Sequence, residues 1–278
     1  MKSGLPLRAL VGFLFPHRWK GQLAEAKRLL ATDHPALDGL GRKLDAWLDS
    51  AGWEVRNAAV KLIAHVRDES RYPRLVEKLA DRSEAGIVRR NAAEAVAQLG
   101  LGTPEVRAAL LAALGDPYWE ARAAAATALA TLFPPDEGLE RALLGVLYGP
   151  ERRGRRTVRE DNFEVRMACA RALAALGGSD TAFDALLELA RDDIWLVRSQ
   201  AAVAIAHFAA RHPDLHARAR EELRGLDRLS EGAVSYFVHR EILNHVLRAI
   251  HKGPQAVPPE ELCHLYLNPK AGWNHVRK

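Results

Sequence analysis

Trp53-Glu54-Val55-Arg56-Asn57-Ala58-Ala59 introduces a pattern, Val-Arg-x-x-Ala in its fullest form, that returns around Arg89, Arg122, Arg166 and Arg198. The five arginines stand 33, 33, 44 and 32 residues apart. A period of this size marks stacked supersecondary units, each too small to bury its own apolar face. Three residues past each arginine come Ala59, Ala92, Ala125, Cys169 and Ala201, and six past it Leu62, Ala95, Ala128, Ala172 and Ala204. Seven past it come Ile63, Val96, Leu129, Leu173 and Ile205, and ten past it Val66, Leu99, Leu132, Leu176 and Phe208. These offsets trace one face of an α-helix. The face is small near the arginine and bulky further on, which predicts close helix approach in the first turns.

A second amphipathic segment precedes each of these helices: Leu40/Leu44/Leu48, Leu75/Leu79, Leu110/Leu114, Leu143/Leu147 and Phe183/Leu186/Leu187. Between the two segments lies a turn with an aspartate, at Asp49, Asp81, Asp116, Asp161 and Asp192. Aspartate suits this place because its carboxylate accepts the unpaired amides of a helix start, so these residues are expected to cap the helix that follows. Gly100, Gly102 and Pro104, and again Gly177 and Gly178, punctuate the joints between units. Helix, turn, helix, joint is the grammar of an α-solenoid.

The stretches Asp116-Pro117-Tyr118-Trp119-Glu120-Ala121-Arg122 and Asp193-Ile194-Trp195-Leu196-Val197-Arg198, each running into an Ala-rich helix, resemble HEAT repeats. The resemblance is to the short bacterial type also seen in phycobilin lyases, and it covers about residues 36–226. It implies an all-α, right-handed α-α superhelix of about six helical hairpins with capping helices. It also implies that the turn aspartate and the helix arginine support the stack through polar contacts between repeats, Asp116 with Arg122 and Asp192 with Arg198. Repeat two departs from the pattern: eight residues separate Asp81 from Arg89, and Gly86 replaces the aromatic. On this reading residues 1–35 are N-terminal capping helices, 36–227 the repeats with an inserted Arg-rich loop at 149–161, and 228–278 C-terminal capping helices and a tail. The capping segment Glu231–Lys252 reads as a longer helix, ended by Gly253-Pro254.

Composition fits a helical array. The chain of 278 residues is 48% hydrophobic but 6% aromatic, its apolar weight lying in Ala and Leu, which favours helices over sheet. Net charge is +5 with a pI near 9.3, a mild bias toward acidic partners or nucleic acid. Cys169 and Cys263 make no disulfide framework, and a reducing cytoplasm is the expected compartment. The apolar run Leu5–Phe15 is broken by Pro16 and lacks a small-residue cleavage site, so it reads as part of the cap rather than a signal peptide. No stretch has the apolar length of a membrane span.

The longest interval, Arg122 to Arg166, reflects about eleven extra residues in the fourth hairpin turn, by comparison with its neighbours. They carry Arg152, Arg153, Arg155, Arg156 and Arg159 around Gly154. Guanidinium groups grip carboxylates and phosphates bidentately, which makes this loop the expected partner contact. Trp53, Trp119 and Trp195 share one repeat phase, three residues before the arginine, with Phe163 in the equivalent place. Such regular recurrence points to a ring sealing each hairpin turn rather than to a local site. His239, His245 and His251 are six apart and spread around a helix, and Pro213 separates His212 from His216, so no metal site is expected. There is no Gly-rich phosphate loop and no nucleophile elbow, and no cofactor is expected.

These features favour a non-enzymatic scaffold or adaptor that holds a protein partner with an acidic epitope, through the solenoid groove and the arginine loop. The positions five past each arginine, Lys61, Glu94, Thr127, Arg171 and Val203, are expected to face the groove and are too mixed to track a polyanion. The alternatives are a nucleic-acid-binding HEAT-like protein, including the repair-glycosylase-like kind, and a bilin lyase-like enzyme.

Overall fold

The computed structural model describes residues 16–33, 39–149 and 158–226, with Arg248 beyond them. Every helix-turn-helix unit read from the period is present among the described residues, and the fold class is all-α and HEAT-like. The helices fall into two compact units, Met1–Phe133 and Pro134–Lys278.

In the first unit α1 (Pro16–Leu30) packs against the second helix of the first hairpin, α2 (Leu40–Leu48) with α3 (Trp53–His65). A 3-10 turn at Glu69–Arg71 leads into the second hairpin, α4 (Tyr72–Ala80) with α5 (Gly86–Leu99). The third pairs α6 (Pro104–Ala113) with α7 (Trp119–Leu132). α5 packs between α3 and α7, and α4 lies against α6, so the two kinds of helix form two layers. In the second unit α8 (Glu137–Tyr148) pairs with α9 (Phe163–Leu176), and α10 (Asp180–Leu189) with α11 (Trp195–Arg211). α9 packs on α11, and α12 (His216–Leu226) follows after the 3-10 turn Pro213–Leu215.

The core is the face that the period marks. Ala59, Ala92, Ala125, Cys169 and Ala201 are fully buried, as are Ile63, Val96, Leu129, Leu173 and Ile205. Leu44, Leu75, Leu110, Leu143 and Leu186 meet them from the first helices. Alanine at the first contact lets adjacent second helices approach closely, and leucine further down fills the space this opens. The joints are equally tight. Gly100 closes α5 in the left-handed region at φ 73°, where a side chain would be strained. A Cβ on Gly177 would lie 2.6 Å from the Leu173 carbonyl oxygen and 2.9 Å from the Ala182 methyl.

No helix among the described residues is long and apolar enough to cross a membrane.

Candidate functional site

The repeated arginines all do one job with one nitrogen. Nη1 of Arg56 donates to the Ser50 and Ala51 carbonyls at 2.7 and 3.0 Å. Arg122 reaches the Asp116 and Pro117 carbonyls, Arg166 those of Glu160 and Asp161, and Arg198 those of Asp192 and Asp193. Arg89 donates to the Glu84 carbonyl. Each guanidinium thus ties off the turn of its own hairpin, whose carbonyls point away from any helix ladder and need a donor.

The other edge of the fork reaches forward to the next repeat. Nε and Nη2 of Arg56 donate to Glu84 at 2.7 and 2.6 Å, and those of Arg89 donate to Asp116, both at 2.7 Å. In the second unit Arg166 Nη2 donates to Asp192 Oδ1 at 3.0 Å, and Nε lies 2.8 Å from Oδ2. A planar five-donor fork can serve a turn and a carboxylate at once, and lysine cannot. Asp116 and Asp192 therefore pair through their side chains with the preceding repeat's arginine, while Arg122 and Arg198 hold their backbone carbonyls. The pairing suggested by the resemblance is shifted by one repeat.

The turn aspartates do not cap the helices directly. α3, α5, α7 and α11 start after Gly52, Ala85, Tyr118 and Ile194, none with a side-chain cap. Asp116 Oδ1 instead accepts the Tyr118 amide at 2.8 Å, and Asp192 Oδ1 the Ile194 amide at 2.9 Å, two residues on in the turn. Their remaining capacity is engaged by the arginine fork. α9 does have a side-chain cap, Asn162, which accepts from the Glu164 and Val165 amides. Asp81 accepts from Ser83, and Asp49 accepts from Arg74 at the surface. Glu84 takes the bridging role in repeat two, where the sequence pointed to Asp81. The signal was available: the bridging acid stands five or six residues before its own arginine, not eight.

Asp116 is 2% exposed and Arg89 4%. Burial pushes the Asp116 carboxyl up, but the Arg89 fork, the Tyr118 amide and the charges of Arg89 and Arg82 outweigh it and hold the group below the usual carboxylate range. Beside this bridge Lys78 is 1% exposed, with Glu84 4.0 Å from its ammonium, so the turn edge of the first unit is a buried ionic network.

The aromatic row occupies the first residue of four of the five second helices: Trp53, Trp119, Phe163 and Trp195. Trp53 is 43% exposed, and the others are half-buried. Gly86 breaks the row because Tyr118 of the next repeat fills its space; a Cβ there would lie 2.4 Å from Tyr118 Cγ and 2.7 Å from Tyr118 Cβ. Gly86→Trp, which would restore the aromatic of the other repeats, is expected to lower stability by about 1 to 3 kcal/mol through overpacking. Urea denaturation of the variant measures this.

The strip that leaves the core differs between units. In the first unit Lys61, His65, Glu94, Gln98, Thr127 and Thr131 are exposed, a polar face of mixed charge. In the second, Arg171 is exposed but Val203, expected to be equally open, is 5% exposed. His207 on the same helix is half-buried, and burial together with the Arg211 charge holds its imidazole below the usual histidine value. Arg159 is exposed, its amide donating to the Leu147 carbonyl at 2.7 Å. Arg152, Arg153, Arg155 and Arg156 lie outside the described residues, as do His239, His245 and Cys263. Among the described residues no group of three or more potential ligands converges on a metal position.

The match to known proteins agrees with this geometry. The family model for HEAT repeats matches residues 42–130 and 155–222, more than half of the chain. The chain belongs to the HEAT-repeat family. Among solved structures it is similar to the complex of CpcE and CpcF of phycocyanin lyase from Nostoc sp. PCC7120, at 19% identity and a TM-score of 0.40. That alignment covers 78% of this chain and 97% of the other. A search of curated proteins finds no match.

Proposed function

We propose that this HEAT-repeat protein is a non-enzymatic scaffold or adaptor that holds a protein partner against the exposed strips of its second helices and the arginine-rich loop at 149–161. The observation that supports the reading is the division of labour along the second helices. The recurrent groups, arginine, bridging acid and small residue, are all engaged in the stack, whereas the exposed positions change from repeat to repeat. Lys61, Glu94 and Thr127 follow one another along the first unit. A face with constant spacing and varied chemistry suits recognition of a protein surface, whose charges also vary, better than a uniform polyanion. The loop arginines add a cluster suited to carboxylates on an acidic epitope.

The test replaces Arg152, Arg153, Arg155 and Arg156 with Ser in one variant, and Lys61 and Thr127 with Glu in another. Partners are captured from the source cells by cross-linking and identified by mass spectrometry, and binding of the purified partner is then measured. Both variants are expected to lose about tenfold in affinity, roughly 1.4 kcal/mol, with an unchanged melting temperature. Unchanged binding by both variants would refute the reading. Salt-sensitive binding of duplex DNA, weakened by the same substitutions, would favour the nucleic-acid alternative.

A further inference from the structure

The basic side chains of the first unit divide into two kinds. On the first-helix layer and its turns Lys43, Arg71, Arg74 and Arg82 each have a carboxylate partner. Lys20, Lys27 and Arg28 of α1 and Lys61 of α3 are exposed, and among the described residues none of them is in an ion pair. The way α1 is turned brings its lysines beside the strip that α3 leaves open. At one end a Cβ on Gly52, just before α3, would lie 3.0 Å from the Trp19 ring. At the other, His65 Nε2 donates to the Thr32 carbonyl at 2.9 Å. Both relations join residues 33 apart (52−19, 65−32), so α1 runs parallel to α3 at the interval of the repeats. Glu25 accepts from Lys43 of α2 at 2.6 Å and so faces the first-helix layer. At about 100° per residue, Lys20 and Lys27 stand roughly 140° and 160° around α1 from Glu25. They therefore lie on the opposite side, next to Asn57, Lys61 and His65.

We propose that Lys20, Lys27 and Lys61 form a basic wall that holds an extended acidic peptide segment of the partner. Seven residues of helix place Lys20 about 10 Å from Lys27, and stacked helices place Lys61 about as far from Lys27 on the other side. Acidic residues three apart on an extended chain are separated by about the same length. Asp33, exposed beyond α1, and Glu54, half-buried at the start of α3, mark the two ends of the wall. The strip changes sign beyond α3: Glu94 is exposed on α5, where Arg90 pairs with it, and α7 offers the uncharged Thr127 and Thr131. A nucleic acid carries a negative charge at every residue and would meet Glu94 within two helices, so a peptide with a local run of carboxylates is the better fit. The inference rests on the scaffold reading and adds a polarity to it. The partner's acidic residues lie over α1 and α3, and its uncharged ones over α7.

The test measures binding of fluorescein-labelled deca-glutamate to the full chain by fluorescence anisotropy, at low and at physiological salt. The parent is expected to bind it, more weakly as salt rises. Lys20→Glu with Lys27→Glu should bind about tenfold more weakly. Arg42→Glu with Arg224→Glu reverses as many charges away from the wall and should change binding by less than about twofold. Lys20→Arg with Lys27→Arg keeps the charges and should bind as the parent does. No binding by the parent, or an equal loss in the two charge-reversed variants, would overturn the proposal. So would tighter binding of single-stranded decathymidylate than of deca-glutamate, which would make the wall a nucleic-acid contact. Such a failure would leave the scaffold reading standing, because that reading is decided by the captured partner and not by this peptide.

Discussion

Replacing Asp116 with Ala is expected to lower stability by about 3 to 5 kcal/mol, among the largest effects of any single substitution at the turn edge. The carboxylate is 2% exposed and accepts both parallel bonds of the Arg89 fork, together with the Tyr118 amide. Its removal leaves a buried guanidinium without its bidentate carboxylate partner, and loosens the turn before α7. The exposed pair Arg218–Asp184 serves as the contrast; breaking it should cost no more than about 1 kcal/mol. The effect should also depend on pH in a stated direction. The folded carboxyl of Asp116 lies below its unfolded value, near the usual 3.9. Its stabilising contribution is therefore complete above that value and lost as pH falls through the folded one. The stability gap between the parent and Asp116→Asn should close in acid, as urea titrations at several pH values would show.

The second large effect belongs to the other unit. Phe208→Ala should cost about 3 to 5 kcal/mol. Its ring is fully buried, lies 5.6 Å from the Phe183 ring, stacks on His212 at 4.5 Å and carries the Arg211 guanidinium 5.6 Å above it. It also packs against Gly177, where an added Cβ would come within 3.0 Å. One side chain thus joins α10, α11 and the joint after α9, and its loss would leave a cavity among them. In a repeat array the loss should be local. Hydrogen exchange should accelerate in α10, α11 and α12, whereas a uniform acceleration across the chain would speak for a single cooperative core.

Much of the fold was legible because packing is periodic. The alanine and leucine offsets from each arginine are contacts between neighbouring helices, and every repeat must satisfy them in the same way, so the signal is written five times. The bridging network was harder to read. Asp81 and Glu84 both lie in the turn of repeat two, and the repeated aspartate pointed to the former. Geometry selects Glu84, which stands three residues closer to Arg89 than Asp81 does and whose carboxylate accepts from Arg56. Gly86 stood out as the missing aromatic of repeat two, and it leaves the space taken by a ring from the next repeat, a relation between residues 32 apart that no local pattern carries. Val203 sits at an open position by register and is buried, because register fixes direction and not what lies in that direction. The function was legible in outline only, since a groove is defined by its varied positions and a period reports the constant ones.

A double-mutant cycle on Arg89 and Asp116 tests the central claim, that the recurrent arginine couples one hairpin to the next within a unit, most directly. The cycle compares Arg89→Met, Asp116→Leu and the pair by equilibrium denaturation. The singles should each be strongly destabilised and the double should recover much of the loss, with a coupling energy above about 2 kcal/mol. Losses that add to within roughly 0.5 kcal/mol would show that the two residues act independently, and the ladder would then be a by-product of the packing rather than part of what holds it.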